Sequence, residues 1–194
     1  MPPKAKISRE MIIEAAYEIV KESGAEYLNA RTIAERLDCS TQPVLYVFKT
    51  MEEIRESVYQ KADEYHSEYL MQISEKDNNP MGTIWKNYIK FGVYEKNLFR
   101  FLFQSNAFCG RMQGLIDDER LIPILKTMAK QMDMDMSKVK KYFAALYYPV
   151  HGIASLLANN SMEYDEEEFE KVINMIKQGV LKQLEDSRDA WETL

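Results

Sequence analysis

Few residues of this 194-residue chain are of types that make or break bonds, and their spacing argues against such chemistry. The two histidines, His66 and His151, have no second metal ligand at i+4. Asp63 and Tyr148 stand three residues before them, where the paired Glu-x-x-His motifs of a di-iron bundle require glutamate. No HExxH, phosphate-loop or GxSxG pattern occurs. Cys39 and Cys109 lie in unrelated contexts, so no disulfide framework or zinc finger is expected, and Cys109 reads as a structural thiol. The sequence therefore predicts neither an enzyme nor a cofactor or metal. A different chemistry is offered by "STQPVLYVFKT", residues 40 to 50. Thr41, Gln42, Tyr46 and Lys49 carry hydroxyl, amide and ammonium groups, the equipment of hydrogen-bonded recognition, beside a dense apolar cluster.

The elements that must position these groups follow from hydrophobic spacing and cap residues. Glycine (seven) and proline (six) are scarce, as in long helices with short connections. Residues 8 to 23 read as a helix capped by Ser8, with Met11, Ile12, Ala15, Ala16, Ile19 and Val20 on one face and Gly24 as a left-handed cap. Asn29 caps a second helix, "ARTIAERL", whose inner face is Ile33, Ala34 and Leu37. After Asp38 and Cys39, Ser40 is the expected cap of a third helix. Pro43 falls in its first turn, where a missing amide breaks no helical bond. Val44, Leu45 and Phe48 are its expected buried face. Further helices are expected at 51 to 73 (stripe Ile54, Val58, Ala62, Tyr65, Tyr69), 80 to 95, 97 to 106, 118 to 132, 137 to 159 with a kink at Pro149, and 165 to 185. No segment keeps a period of two long enough for a strand. The predicted fold class is all-α, with about nine helices.

Three short helices joined by tight turns within about forty residues form a helix-turn-helix arrangement. A helix fits the major groove of DNA, its N-terminal residues meet base edges, and the preceding helix braces against phosphates. Residues 8 to 58 resemble the DNA-binding domain of TetR-family transcriptional regulators. The resemblance is carried by "IIEAAYEIVKESGAEYLNARTIAERLDCSTQPVLYVFKTMEEI": Ile33-Ala34, a turn at Asp38-Cys39-Ser40, a recognition helix closed by Phe48, and a capped start to the fourth helix at Thr50 to Ile54. The chain departs from the family pattern at three points. Asp38 stands for the turn glycine, Val44-Leu45 for a Leu-Tyr pair whose tyrosine contacts phosphate, and Met51 for a phosphate-binding lysine.

The resemblance implies that Thr41, Gln42 and Pro43 face bases, with Gln42 on an adenine edge and Pro43 on a thymine methyl. It implies that Tyr46 and Lys49 meet the DNA backbone, and that Asn29 and Arg31 contact phosphate or an adjacent base. From the residues alone, Asn29 is equally a plain cap, Tyr46 a half-buried packing group and Lys49 a solvated charge. The resemblance further implies a helix-turn-helix domain at 1–52 and a ligand-binding and dimerisation domain at 53–194, dimerising through the last two helices. It implies a homodimeric repressor that binds a palindromic operator in double-stranded DNA and is released by a small molecule.

The charge distribution is compatible with that reading. The net charge is −6, but residues 1 to 50 hold seven basic and seven acidic residues, leaving 18 basic and 24 acidic residues in the remainder. Lys4, Lys6 and Arg9 precede any acid. The run "DEEEFEK" reads as the dipole-favoured start of the last helix. The distal part is rich in aromatics, including Phe108. Trp85, Tyr88, Phe103, Tyr147 and His151 are the candidate lining of a pocket for an apolar or aromatic effector, although His151 is also read as a satisfied core histidine. Gly152 is expected at a close helix approach. No apolar run approaches the roughly 18 residues of a membrane span, and "MPPKAKISRE" has no apolar core of a secretory signal, so the expected location is cytoplasmic. The competing reading is an all-α dimeric interaction module that senses a small molecule or a protein without binding DNA.

Overall fold

A computed structural model describes residues 7–74, 76–105, 119 and 121–186. Lys4, Lys6, Phe108 and Cys109 lie outside the described residues. Among those described there are nine α-helices and no strand: α1 (Arg9–Ser23), α2 (Ala30–Arg36), α3 (Thr41–Val47), α4 (Met51–Leu70), α5 (Pro80–Tyr94), α6 (Lys96–Gln104), α7 (Ile122–Met132), α8 (Met136–Ala158) and α9 (Glu166–Asp186). No described helix is long and apolar enough to cross a membrane.

Side-chain caps begin most of these helices. Ser8 accepts from the amide of Met11, Asn29 from Arg31 and Thr32, Thr50 from Glu53, and Asn79 from Gly82. Each satisfies amides that the helix itself leaves open. Ser40 holds the N-cap position of α3 with extended backbone, but its side chain makes no capping bond. Gly24 closes α1 with φ 108° and ψ 161°, an extended conformation open to glycine and not the left-handed helical cap expected. The left-handed residue of this region is Asp38, at φ 49°. The helix α8 runs through Pro149 as one element.

The apolar stripes meet in one continuous core that extends from Ile12 and Ile33 to Phe143 and Leu157. Helix α1 packs on α2, α4 and α6, and α2 on α3. The most extensive pairing is α5 with α8. Its closeness is set by Gly92, where an added Cβ would lie 2.7 Å from the carbonyl oxygen of Ala154. Gly152, expected at such a contact, faces open space instead.

Two stripe assignments differ from expectation. Met11 is exposed, because it lies beside the true inner residue Ile12 and not on its face. The stripe of α4 includes Tyr59 and His66 as fully as Ile54, Val58 and Ala62, whereas Tyr65 and Tyr69 are only partly buried. The acidic start of α9 is likewise more than a solvated turn. Glu166 pairs with Lys86 at 3.1 Å and Lys90 at 3.1 Å, and Glu170 also pairs with Lys86. These ion pairs clasp α9 to α5, and the Lys90 and Lys86 ammonium groups hold the Glu166 carboxyl at about 2, well below 4.5.

Candidate nucleic-acid interface and effector cluster

The reading unit is built from α2, its turn and α3. Arg36 grips Glu22 through two bonds of 2.7 Å, fixing α2 against α1. The turn closes when the amide of Cys39 donates to the carbonyl of Ala34 at 2.9 Å. Asn29 is committed to its cap: Oδ1 accepts from Arg31 at 3.0 Å and Thr32 at 3.1 Å, and Nδ2 donates to the carbonyl of Tyr27 at 3.2 Å. Arg31 is open to solvent and donates through Nε to Glu35 at 2.9 Å.

Helix α3 docks through Val44 and, just past its end, Phe48, both fully buried. The guanidinium of Arg9 lies 4.1 Å from the centre of the Phe48 ring and donates to Ser57 at 3.1 Å, pinning the start of α1 to the end of the recognition helix and to α4. Thr41, Gln42, Tyr46 and Lys49 are exposed, and Pro43 and Val47 are half-buried. Tyr46 is 86 % exposed, which excludes the packing role weighed for it. Leu45, expected in the buried face, is 48 % exposed. The reason is angular: one residue advances the helix by about 100°, so Leu45 cannot share the inward direction of Val44. The outward strip is therefore Thr41, Gln42, Leu45 and Tyr46, with Lys49 beyond the helix end. Lys49 makes no ion pair among the described residues, and its backbone amide donates to Glu53 at 3.2 Å.

Four of the five candidate effector residues converge between α5, α6 and α8. The hydroxyl of Tyr88 lies 2.7 Å from Nδ1 of His151 and 3.4 Å from the hydroxyl of Tyr147. Phe103 lies with its ring centre 5.9 Å from that of Tyr88 and 5.6 Å from that of His151. Burial pushes the Tyr88 phenol well up and the His151 imidazole down, so the polar trio is uncharged at neutral pH. Trp85 stands apart. It packs on Phe143 at 4.9 Å and lines a separate cavity of about 220 Å³ between α5 and α9. The sequence reading missed His66, whose ring lies 5.1 Å from Phe103 and 5.4 Å from Tyr88. Its place in the 54, 58, 62, 66 series of α4 is the signal that marks it.

One further node joins the two regions. Glu95, at the α5–α6 corner, accepts from the hydroxyl of Tyr65 on α4 at 2.7 Å and pairs with Lys21 of α1 at 3.4 Å. Asn97 donates to the carbonyl of Lys21 at 2.9 Å. The recognition unit is thus tied through α1 to the corner that begins the helix bearing Phe103.

No family model matches the chain, and no curated protein matches it by sequence. Solved structures do resemble it. A transcriptional regulator from Rhodococcus sp. Rha1 aligns with a TM-score of 0.66 and 16 % identity, covering 91 % of this chain and 97 % of that one. A protein from Vibrio parahaemolyticus described as a TetR family regulator aligns with a TM-score of 0.60 and 16 % identity, covering 88 % and 96 %. The alignments span about nine-tenths of the chain, and the protein therefore shares the all-α fold of these two proteins.

Proposed function

We propose that the chain is a DNA-binding transcriptional regulator, a cytoplasmic homodimeric repressor whose operator affinity is lowered by a small apolar or aromatic effector. The observation that carries this reading is the solvent-facing strip of α3, anchored from behind by Val44 and Phe48, in a fold shared with transcriptional regulators. Residues 1–52 form the reading domain and 53–194 the sensing and dimerising domain. Gln42 reads an adenine edge, Thr41 and Pro43 border the bases, and Tyr46, Lys49 and Arg31 meet phosphates. Asn29 acts chiefly by holding the start of α2.

Dimerisation through α8 and α9 is supported by their exposed apolar residues, Tyr148, Leu156 and Met175. A palindromic operator needs two such readers. The effector contacts the Tyr88–Tyr147–His151 trio inside its shell of rings, with Trp85 as a peripheral neighbour. Its binding shifts the α5–α6 corner and, through Glu95, Lys21 and Tyr65, the setting of α1 and α4. Linkage requires the effector to favour the DNA-free state by the same factor by which it lowers operator affinity. Selection of bound duplexes from random DNA tests the reading. Recovery of a palindrome supports a dimeric reader, and a pool that stays random at low salt refutes DNA recognition.

A further inference from the structure

Leu45 is the feature of the recognition helix that the roles above leave unused. At about 100° per residue, Thr41, Leu45, Gln42 and Tyr46 fall in that order across an outward arc of about 140°. Gln42 and Leu45 occupy the middle of the arc, with Thr41 and Tyr46 at its two edges. A helix lying in the major groove presents the middle of its outward face to the base pairs and its edges to the two phosphate walls. Leu45 has no hydrogen-bonding group and is 48 % exposed, so it meets no phosphate productively. The apolar group displayed in the major groove is the C5 methyl of thymine. Pro43, the earlier candidate for that contact, is half-buried and points away from the centre of the strip.

We infer that Leu45 is a specificity-determining residue that reads a thymine methyl group in each half-site. Gln42 and Leu45 are three residues apart, about 4.5 Å along the helix axis, a spacing that suits neighbouring base pairs. The half-site then holds a Gln42-read adenine and, one step away, a thymine recognised by its methyl alone. This rests on the DNA-reading function proposed above.

Uracil in place of thymine removes the methyl and nothing else. With the selected operator and the full-length protein, each half-site thymine is replaced in turn, symmetrically, and affinity is measured by fluorescence anisotropy. One thymine should show a loss of about three- to fourfold per half-site, the size expected for one buried methyl group. Leu45→Ala should bind thymine and uracil operators equally, and Leu45→Met should keep the difference. Circular dichroism melting confirms that both variants fold. The inference is overturned if the operator is bound specifically yet no thymine shows a uracil penalty, or if the penalty survives in Leu45→Ala. If no operator can be selected at all, DNA reading itself falls, and the inference with it.

Discussion

At the scale of single residues, the turn between α2 and α3 shows how one side chain strains an otherwise regular motif. Asp38 sits at φ 49°, a conformation that costs a non-glycine residue about 1–2 kcal/mol, eased for aspartate by its short polar side chain. Asp38→Gly should therefore stabilise the protein by up to about 1 kcal/mol, read as a higher midpoint in urea with an unchanged slope. The recognition strip makes a second prediction. Gln42→Ala should lose about 1–3 kcal/mol of discrimination at one base pair, so that variant operators at that position bind alike. Unchanged ranking of those operators would remove Gln42 from the base-reading set. Leu45 shows where residue-level reading of the sequence fails. Val44, Leu45, Val47 and Phe48 form one apolar cluster in the sequence, and composition alone does not separate the anchors from the member that faces outward.

At the scale of helices, most of the fold was legible. The 3.6-residue spacing and the caps Ser8, Asn29 and Thr50 mark starts that the structure places within a residue. What was not legible depends on which helix lies opposite. Gly92 and Gly152 are both helical glycines, yet only Gly92 meets a backbone across an interface. Gly92→Ala should destabilise by about 1–3 kcal/mol through overpacking. Gly152→Ala, with open space around it, should stabilise by up to about 1 kcal/mol through helix propensity. Thermal melts of the two variants moving in the same direction would contradict this assignment.

The α5–α9 clasp is another tertiary feature hidden from local pattern. Glu166 has its pKa depressed from 4.5 to about 2. Its contribution to stability is therefore complete above about 4.5, and it is lost as pH falls from there through about 2. Because the pair is partly exposed, salt should weaken it. Glu166→Gln should flatten the stability profile between those pH values while leaving its shape near neutrality unchanged, as followed by urea unfolding across pH.

At the scale of the whole molecule, an acidic protein that binds DNA must do so through a local surface. The seven basic and seven acidic residues of the first fifty leave that part neutral, and two of its cations that have no role at the interface are already paired, Arg36 with Glu22 and Lys21 with Glu95. On the proposed function, few phosphates would then be neutralised per subunit. Operator affinity should fall as salt rises, with a logarithmic slope of about −0.9 per phosphate contact. Lys49→Ala should reduce that slope by about two in a dimer, one contact per subunit. A slope unaffected by the substitution would take Lys49 out of the backbone contacts. The all-α class and the order of the helices, from α1 to α9, were recoverable from periodicity. The aromatic cluster was recoverable only in part, because convergence of α4, α5, α6 and α8 on Phe103 is a property of packing and not of any one segment.

The contact of Gly92 with Ala154 also governs where movement can occur. With no side chain between the two backbones, α5 and α8 cannot slide past each other without separating, so they behave as a single beam. Tyr88, Tyr147 and His151 are all carried on that beam. On the proposed function, an effector that pushed among them would deliver its thrust to the elements facing the beam, α4 through His66 and α6 through Phe103.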